Sequence, residues 1–321
     1  MMFKLTGDRS KKGRELRLSI VETIQELMKY DDTIVALDAD LAEPSGFNKI
    51  KKSNPDRFIQ CGISEANMVG VSAGLSVMGF KPFLHSFGPF VTRRVYDQLY
   101  ISGAYAHTTL HIYGSDPGFT VAQNGGTHTT WEDMALVRAI PNSVICDAAD
   151  DIQLSWIIKE FAKMEGIHYV RANRKAVRNV YEAGSSFEIG KGNVIKKGTD
   201  VLIIVAGQLV SDALDAADLL DKKGISVEVI DMFTVKPLDQ ELLLNEAVGK
   251  QAIVTFENHS ITGGLGSAVA ETIAEANVGI KFKRHGVDER FGQVGTAEFL
   301  QKEYRLTAED LVKTVEVLYE R

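Results

Sequence analysis

One glutamate, Glu65, lies where a carboxylate could do chemistry. A short apolar run over residues 58–63 ends just before it, and a segment with apolar residues at helical spacing follows, with Gly70 and Gly74 four apart. A glutamate at the carboxyl end of a strand in an α/β sheet lies where such sheets bind ligands. The alternative is an ordinary acid in the first turn of a helix, where the macrodipole favours negative charge.

Two aromatic residues follow another apolar run. Phe87 and Phe90 flank a Gly-Pro pair on a loop that leaves a predicted strand. Aromatic side chains exposed beside such a turn indicate a surface on which a ring can stack. Ordinary core packing is the alternative.

A loop rich in Gly, Asn and Gln lies between Asp116 and His128, and loops of this kind carry binding residues. The carboxylate could accept hydrogen bonds from sugar hydroxyls, and the imidazole can titrate near neutrality and bind hydroxyls. The alternatives are an Asp that forms a turn before Pro117 and a histidine fixed by the backbone.

Arg171 and Arg174 end a later strand, three residues apart. Guanidinium groups match phosphate geometry, although an arginine beside a linker is often a solvated ion-pair partner. Asp40 ends the strand over residues 33–40, where a role in binding and a role in a turn are equally compatible with the sequence.

The elements that must position these residues alternate between strands and helices in two blocks. This order predicts an α/β protein with two doubly wound domains whose sheets are mostly parallel. Residues 175–198 have scattered glycines, mixed charge and no helical period, and are interpreted as a linker. We therefore predict domains over residues 1–185 and 186–321.

Bulk composition narrows the class of protein. The 321 residues, 45% of them hydrophobic, suffice for two cores. A net charge of −7 argues against nucleic acid as the main partner, although local arginines can still bind an anionic sugar phosphate. We expect no signal peptide, no membrane span and a cytoplasmic location. The two cysteines have no disulfide or metal spacing.

Residues 62–69 (GISEANMV) resemble the pyrimidine-binding domain of transketolases, in which the glutamate contacts the aminopyrimidine ring of thiamine diphosphate. Further segments match that family in the same order, and the resemblance covers nearly the whole chain. They are 85–93 (HSFGPFVTR), 96–98 (YDQ), 125–128 (GGTH), 171–174 (RANR), 233–239 (FTVKPLD) and 257–266 (ENHSITGGLG).

The resemblance implies roles for the residues above. Those expected to hold the cofactor are Asp40 near its thiazolium, Glu65 on its pyrimidine, Phe87 and Phe90 around the ring, and Arg93 at the pocket edge. The adjacent Arg94 fits the last position equally well. Asp116 and His128 would face the donor ketose, and Arg174 would bind its phosphate. Glu65 and His128 are the expected catalytic residues. Gln123 and Asn124 replace the family's usual acidic pair, so the exact sugar stays open.

In this family a separate domain supplies Gly-Asp-Gly and binds Mg²⁺ on the diphosphate. This sequence contains no Gly-Asp-Gly. The resemblance therefore implies the C-terminal half of a split transketolase, with thiamine diphosphate as cofactor and Mg²⁺ bound mainly by a partner chain. It also implies a homodimer of this chain that joins two partner chains in a heterotetramer.

The expected activity is transfer of a two-carbon ketol unit from a ketose or ketose phosphate to an aldose or aldose phosphate. Two alternatives are the β subunit of a 2-oxo acid dehydrogenase, which shares length and glutamate, and a non-catalytic half that acts in assembly. Asp116, His128 and Arg174 suit a polyol phosphate better than a small oxo acid. A deoxyxylulose-phosphate synthase fits less well because that enzyme normally keeps both halves in one chain.

Overall fold

The computed structural model describes residues 2–320 and contains a seven-stranded sheet, a five-stranded sheet and a small two-stranded sheet. Each large sheet carries helices on both faces, because strands and helices alternate along the chain. The predicted α/β fold with two mostly parallel sheets is confirmed. The domain boundary between residues 185 and 186 stays a prediction.

The elements alternate along most of the chain. The strands are β1 (Lys12–Glu15), β2 (Ile34–Asp38), β3 (Phe58–Gln60), β4 (Lys81–Phe87), β5 (Leu110–Ser115), β6 (Val144–Asp147), β7 (Ile167–Ala172), β8 (Ala176–Arg178), β9 (Asn193–Lys196), β10 (Val201–Val205), β11 (Val227–Asp231), β12 (Thr234–Lys236), β13 (Ala252–Ser260) and β14 (Lys281–Val287). The α-helices are α1 (Leu16–Leu27), α2 (Ala42–Ser45), α3 (Asn48–Ser53), α4 (Glu65–Val77), α5 (Gly88–Val91), α6 (Tyr96–Gln98), α7 (Asp133–Arg138), α8 (Asp151–Phe161), α9 (Val210–Asp221), α10 (Gln240–Ala247), α11 (Leu265–Glu275), α12 (Ala297–Glu303) and α13 (Ala308–Glu320).

The seven-stranded sheet has the order β12-β6-β7-β5-β4-β2-β3. Each pair of neighbouring strands in it is parallel, except that β12 is antiparallel to β6. Helices α1 and α8 pack on one face, and α4 and α7 cover the other. The chain passes from β2 outward to β3 and then returns to the opposite side of β2 as β4. Such a switch in direction opens a crevice at the carboxyl ends of the strands.

Strand β12 departs from the sequence interpretation. The sequence predicts that residues 233–239 belong to the second domain, but Thr234 pairs with Cys146 of β6, so β12 completes the edge of the first sheet. A strand of three residues has no periodic pattern by which sequence could reveal its partner.

The five-stranded sheet has the order β14-β13-β10-β11-β9, with only β9 antiparallel to its neighbour. Residues 175–198, interpreted as an irregular linker, contain two short strands: β8 pairs with β1, and β9 pairs with β11. Within residues 2–320, no helix has both the length and the apolar character that crossing a membrane requires.

A buried ion network joins the first sheet to the second. Arg171, at the end of β7, is completely buried. Its Nε and Nη2 donate to the two carboxylate oxygens of Asp133 at 2.8 and 3.2 Å, and its Nη1 donates to Asp147 at 3.0 Å. Its Nη2 also donates to the backbone oxygen of Asn258, in β13, at 3.0 Å. One side chain therefore connects three segments that are distant in sequence.

The charges in this network compensate one another. Burial by itself would raise the pKa of Asp133, but the positive charge of Arg171, with further contributions from His259 and Tyr169, leaves that pKa below its ordinary value. Burial raises the pKa of Asp147 to about 6, and Arg171 opposes the shift. A buried carboxylate without such a partner is strongly unfavourable.

Candidate active site

The sequence-predicted site residues come from the carboxyl ends of the parallel strands of the first sheet. Asp40 follows β2, Glu65 begins α4 after β3, and Phe87 is the last residue of β4. Asp116 directly follows β5, and Arg174 lies two residues after β7. Because these strands are parallel and adjacent, their carboxyl ends share one edge of the sheet.

Three rings form an aromatic cluster at this edge: Phe87, Phe90 and His128. The ring centroids of Phe87 and Phe90 lie 6.1 Å apart, and His128 lies 5.3 Å from Phe87 and 5.1 Å from Phe90. All three contacts are edge to face, a favoured geometry for aromatic pairs. The intervening Gly88 is required by close packing, because a Cβ there would lie 2.5 Å from Cγ2 of Thr130.

Glu65 is buried, with only 4% of its surface exposed. Nη1 of Arg94 donates to its Oε1 at 2.7 Å, and the same guanidinium lies 3.9 Å from the ring centroid of Phe90. Arg94 therefore connects the carboxylate to the aromatic cluster. The neighbouring Arg93 instead pairs with the side chain of Glu132 at 2.7 Å. The structure thus brings Arg94, and not Arg93, to this cluster.

Asp116 and Arg174 form an ion pair beside the same rings. Asp116 accepts the backbone N–H of Arg174 at 2.9 Å and also the Nε–H of that side chain. The guanidinium of Arg174 lies 4.8 Å from the ring centroid of Phe87. Among the described residues its two terminal nitrogens have no hydrogen-bond acceptor, so they can bind an anion. Burial raises the pKa of Asp116, and the positive charge of Arg174 opposes that shift.

The surroundings of His128 favour its neutral imidazole form. Partial burial lowers its pKa, and the guanidinium groups of Arg94 and Arg174 lower it further. Its Nδ1 lies 2.9 Å from the hydroxyl oxygen of Thr127. A neutral imidazole has one donor and one acceptor nitrogen, so it can exchange hydrogen bonds with a hydroxyl group.

Asp40 is not part of this cluster of contacts. It is exposed and adopts a left-handed backbone with a φ of 63°. Its backbone N–H donates to the side chain of Gln60 at 2.7 Å. Its carboxylate makes no hydrogen bond to any other residue between positions 2 and 320, so its role near a thiazolium stays a prediction.

Sequence reasoning missed a set of three hydrogen-bonded polar side chains at the same edge of the sheet. His85 is buried in β4; its Nδ1 lies 2.9 Å from a carboxylate oxygen of Asp38, and its Nε2 lies 3.1 Å from the hydroxyl of Ser115. The three residues come from β4, β2 and β5, and they connect the ends of these strands under the site. The available signal was the presence of polar residues within otherwise apolar strands.

Neither metal ligands nor a disulfide appear among residues 2–320. No three His, Cys, Asp or Glu side chains in this part of the chain are placed to hold a metal ion. Cys61 and Cys146 are both free. The described residues therefore do not fit a Mg²⁺ site.

Two family models match the chain. The transketolase pyrimidine-binding domain matches residues 12–180, and the transketolase C-terminal domain matches residues 190–311. The subunit SqwH of 6-deoxy-6-sulfo-D-fructose transketolase from Clostridium sp. (strain MSTE9) is 40% identical over 95% of this chain and 95% of its own. A putative transketolase C-terminal section from Methanocaldococcus jannaschii is 38% identical over 98% of both chains.

A solved structure agrees with these relatives. The structure titled "Split gene transketolase, inactive beta4 tetramer" is 37% identical, with a TM-score of 0.89 over 96% of this chain and 99% of its own. The chain therefore belongs to the transketolase family. The 2-oxo acid dehydrogenase alternative is not favoured, because these relatives are transketolases and transketolase subunits.

Proposed function

We propose that this chain is the C-terminal, pyrimidine-binding half of a thiamine diphosphate-dependent transketolase. With a separate N-terminal chain it transfers a two-carbon ketol unit from a ketose or ketose phosphate to an aldose or aldose phosphate. The observation that carries the proposal is the buried carboxylate of Glu65 beside the aromatic cluster, at the carboxyl ends of the first sheet. The family membership supports the same conclusion.

These residues suit the pyrimidine ring of the cofactor. A planar heteroaromatic ring needs aromatic or apolar walls and a partner for its ring nitrogen. Phe87 and Phe90 can supply the walls, and Glu65 can share a proton with a ring nitrogen. Asp40 and either Arg93 or Arg94 would complete the binding residues. Arg94 is the better supported of the two arginines because it already contacts both Glu65 and Phe90.

Thiamine diphosphate, when bound, supplies the nucleophilic carbon that accepts and passes on the two-carbon unit. The chain's own residues orient the reactants and move protons. Glu65 holds a proton at the pyrimidine edge, and the aromatic cluster keeps water from it. Neutral His128 can exchange a hydrogen bond with a substrate hydroxyl. Arg174, oriented by Asp116, binds a terminal anionic group.

The partner chain would supply the diphosphate site and its Mg²⁺, for which the residues described here offer no ligand set. Self-association is supported by exposed apolar residues at the end of α4 and on residues 99–105, which pack against this helix: Val77, Met78, Ile101 and Tyr105. Gly70 and Gly74 lie on the same helix, and a Cβ on either would contact nothing within 4 Å. A cytoplasmic location stays a prediction.

The purified chain alone is expected to be inactive and to bind thiamine diphosphate weakly, because half of the cofactor site is proposed to lie elsewhere. Adding a partner chain that carries Gly-Asp-Gly should restore ketol transfer, measured by the consumption of ketose. Light scattering of the chain alone should give a mass near twice 35.3 kDa, that of a dimer. Robust ketol transfer by the pure chain would refute the two-chain proposal, and no transfer by the complex would refute the activity.

Arg174→Ala is expected to raise KM for phosphorylated substrates about ten- to hundredfold, since a hydrogen bond to a charged group contributes roughly 1.5–3 kcal/mol. The KM for unphosphorylated substrates should change far less. Lys175→Ala is the matched control, because it removes an exposed positive charge at the next position. Equal losses on both classes of substrate would assign Arg174 a structural role.

A further inference from the structure

We infer that Asn258, in the second domain, is a positioning residue that holds the substrate-facing loop of the first domain. The loop is defined here as residues 116–128, which begin at Asp116 and end at His128. This inference rests on the proposed function, because the proposal makes those two residues contact the donor sugar. It gives the second domain a part in the reaction although it supplies none of the proposed binding groups.

The side chain of Asn258 makes two hydrogen bonds to the backbone of this loop. Its Oδ1 accepts the N–H of Phe119 at 3.2 Å, and its Nδ2 donates to the backbone oxygen of Pro117 at 2.9 Å. Both groups are buried, and Asn258 itself is only 3% exposed. A carboxamide supplies one donor and one acceptor together, which neither a carboxylate nor an apolar side chain can do.

The loop is shaped to accept this contact. Gly118, between the two bonded peptides, has a φ of +59°. A Cβ at Gly118 would lie 2.0 Å from Oδ1 of Asn258, so only glycine permits the approach. The first bonded residue, Pro117, directly follows Asp116. A shift of this turn would therefore move the carboxylate that orients Arg174.

Asn258 is itself fixed in place by the first domain. Its backbone oxygen accepts the Nη2 of the buried Arg171 at 3.0 Å. The next residue but one, Ser260, donates its backbone N–H to the backbone oxygen of Trp131 at 2.9 Å. These two contacts fix the backbone at and just after Asn258, and so they fix the position from which its carboxamide reaches the loop.

The other end of the loop meets a different segment of the second domain. A Cβ on Gly126 would lie 2.4 Å from the backbone oxygen of Gly292, and a Cβ on Gly125 would lie 2.7 Å from Cγ2 of Val294. A Cβ on Gly292 would lie 2.2 Å from the hydroxyl of Thr129. These contacts flank His128, so the second domain touches the loop near each of its proposed substrate-facing residues.

The backbone inside the loop needs such support. Ala122 has a φ of 53° and a ψ of −117°, a conformation that non-glycine residues rarely adopt. Strained conformations persist only where the surrounding structure over-determines them. The contacts from Asn258 and from residues 292–294 provide that constraint at the two ends.

The first test measures the loop without using activity. In the full-length chain, Asn258→Ala should speed hydrogen exchange of the backbone amides of residues 118–128 about tenfold, because two buried hydrogen bonds of modest net strength are lost. Asn193→Ala is the matched control: Asn193 is also buried in the second domain, but its amide group bonds to Asp231 and not to the loop. Unchanged exchange in Asn258→Ala would overturn the inference.

The second test uses the complex with the partner chain. Asn258→Ala should raise KM for the donor ketose and lower kcat/KM about tenfold, while the affinity for thiamine diphosphate changes less than twofold. Faster exchange with unchanged kinetics would overturn the positioning role. If the wild-type complex shows no ketol transfer while the exchange result holds, the contact stands and the proposed function fails.

A pair of glycine variants tests the loop independently, in case Asn258→Ala fails to fold. Gly292→Ala should displace the loop at its other end and reproduce the loss in kcat/KM. Gly279→Ala should have no effect, because a Cβ at that position of the same domain would meet nothing within 4 Å. Equal behaviour of the two glycine variants would overturn the inference as well.

Discussion

Replacing Glu65 by Gln or Ala is expected to reduce ketol transfer by the two-chain enzyme about 10²–10⁴-fold, the range typical for loss of a positioned proton-transfer group. The fold should survive, since Glu65 begins α4 and has no capping role there. The expected cause is the absence of a group that can hold a proton at the pyrimidine ring. Steady-state rates together with the circular dichroism of the bound cofactor would measure the effect.

A matched control separates this effect from the loss of any Arg–Glu pair. Glu271 accepts from Arg138 at 2.6 Å, but it lies on the surface of the second domain, far along the chain from Glu65. Glu271→Gln should leave the rate within about twofold, since exposed ion pairs contribute little. Glu65→Ala could instead retain more than about a tenth of the wild-type rate, a loss far milder than the expected range. That result would show that Glu65 is an ordinary acid in the first turn of a helix.

Arg171→Leu is expected to lower the free energy of unfolding of the chain by about 3–5 kcal/mol, because it leaves Asp133 and Asp147 buried without their partner. Denaturant unfolding followed by circular dichroism would measure the loss. Arg290→Leu is the control, since its pair with Glu303 is about half exposed and should contribute at most about 1 kcal/mol. Similar losses in the two variants would contradict the role assigned to Arg171.

The loss in Arg171→Leu should also depend on pH. Without the guanidinium, burial leaves the two carboxyls with pKa values in the folded state above those in the unfolded chain. The folded state then binds more protons than the unfolded state, so the stability of the variant should fall as pH rises above about 4. The deficit relative to wild type should therefore be smaller at pH 5 than at pH 8.

Sequence reasoning found most of the fold because strands and helices of ordinary length carry clear periodic patterns. It also predicted that Glu65 ends a strand, that Phe87 and Phe90 lie on a loop leaving a strand, and that His128 lies on a binding loop. The structure brings the rings of Phe87, Phe90 and His128 into direct contact. The roles of these residues toward a cofactor stay predictions.

What the sequence left open depended on side-chain direction and on long-range pairing. Arg93 and Arg94 are adjacent, and only the backbone turn decides that Arg94 meets Glu65 while Arg93 meets Glu132. Asn258 lay within a recognised sequence segment, but its partners are more than 130 residues away along the chain. No local pattern encodes such a contact.

Strand β12 has a consequence for how genes of this kind can be divided. The strand is supplied by the chain beyond the predicted boundary, yet it covers the outer edge of β6. A break in the coding sequence between the two domains would leave β6 with unpaired backbone groups, and such open edges promote aggregation. The first sheet therefore depends on a strand from beyond the predicted boundary to close this edge.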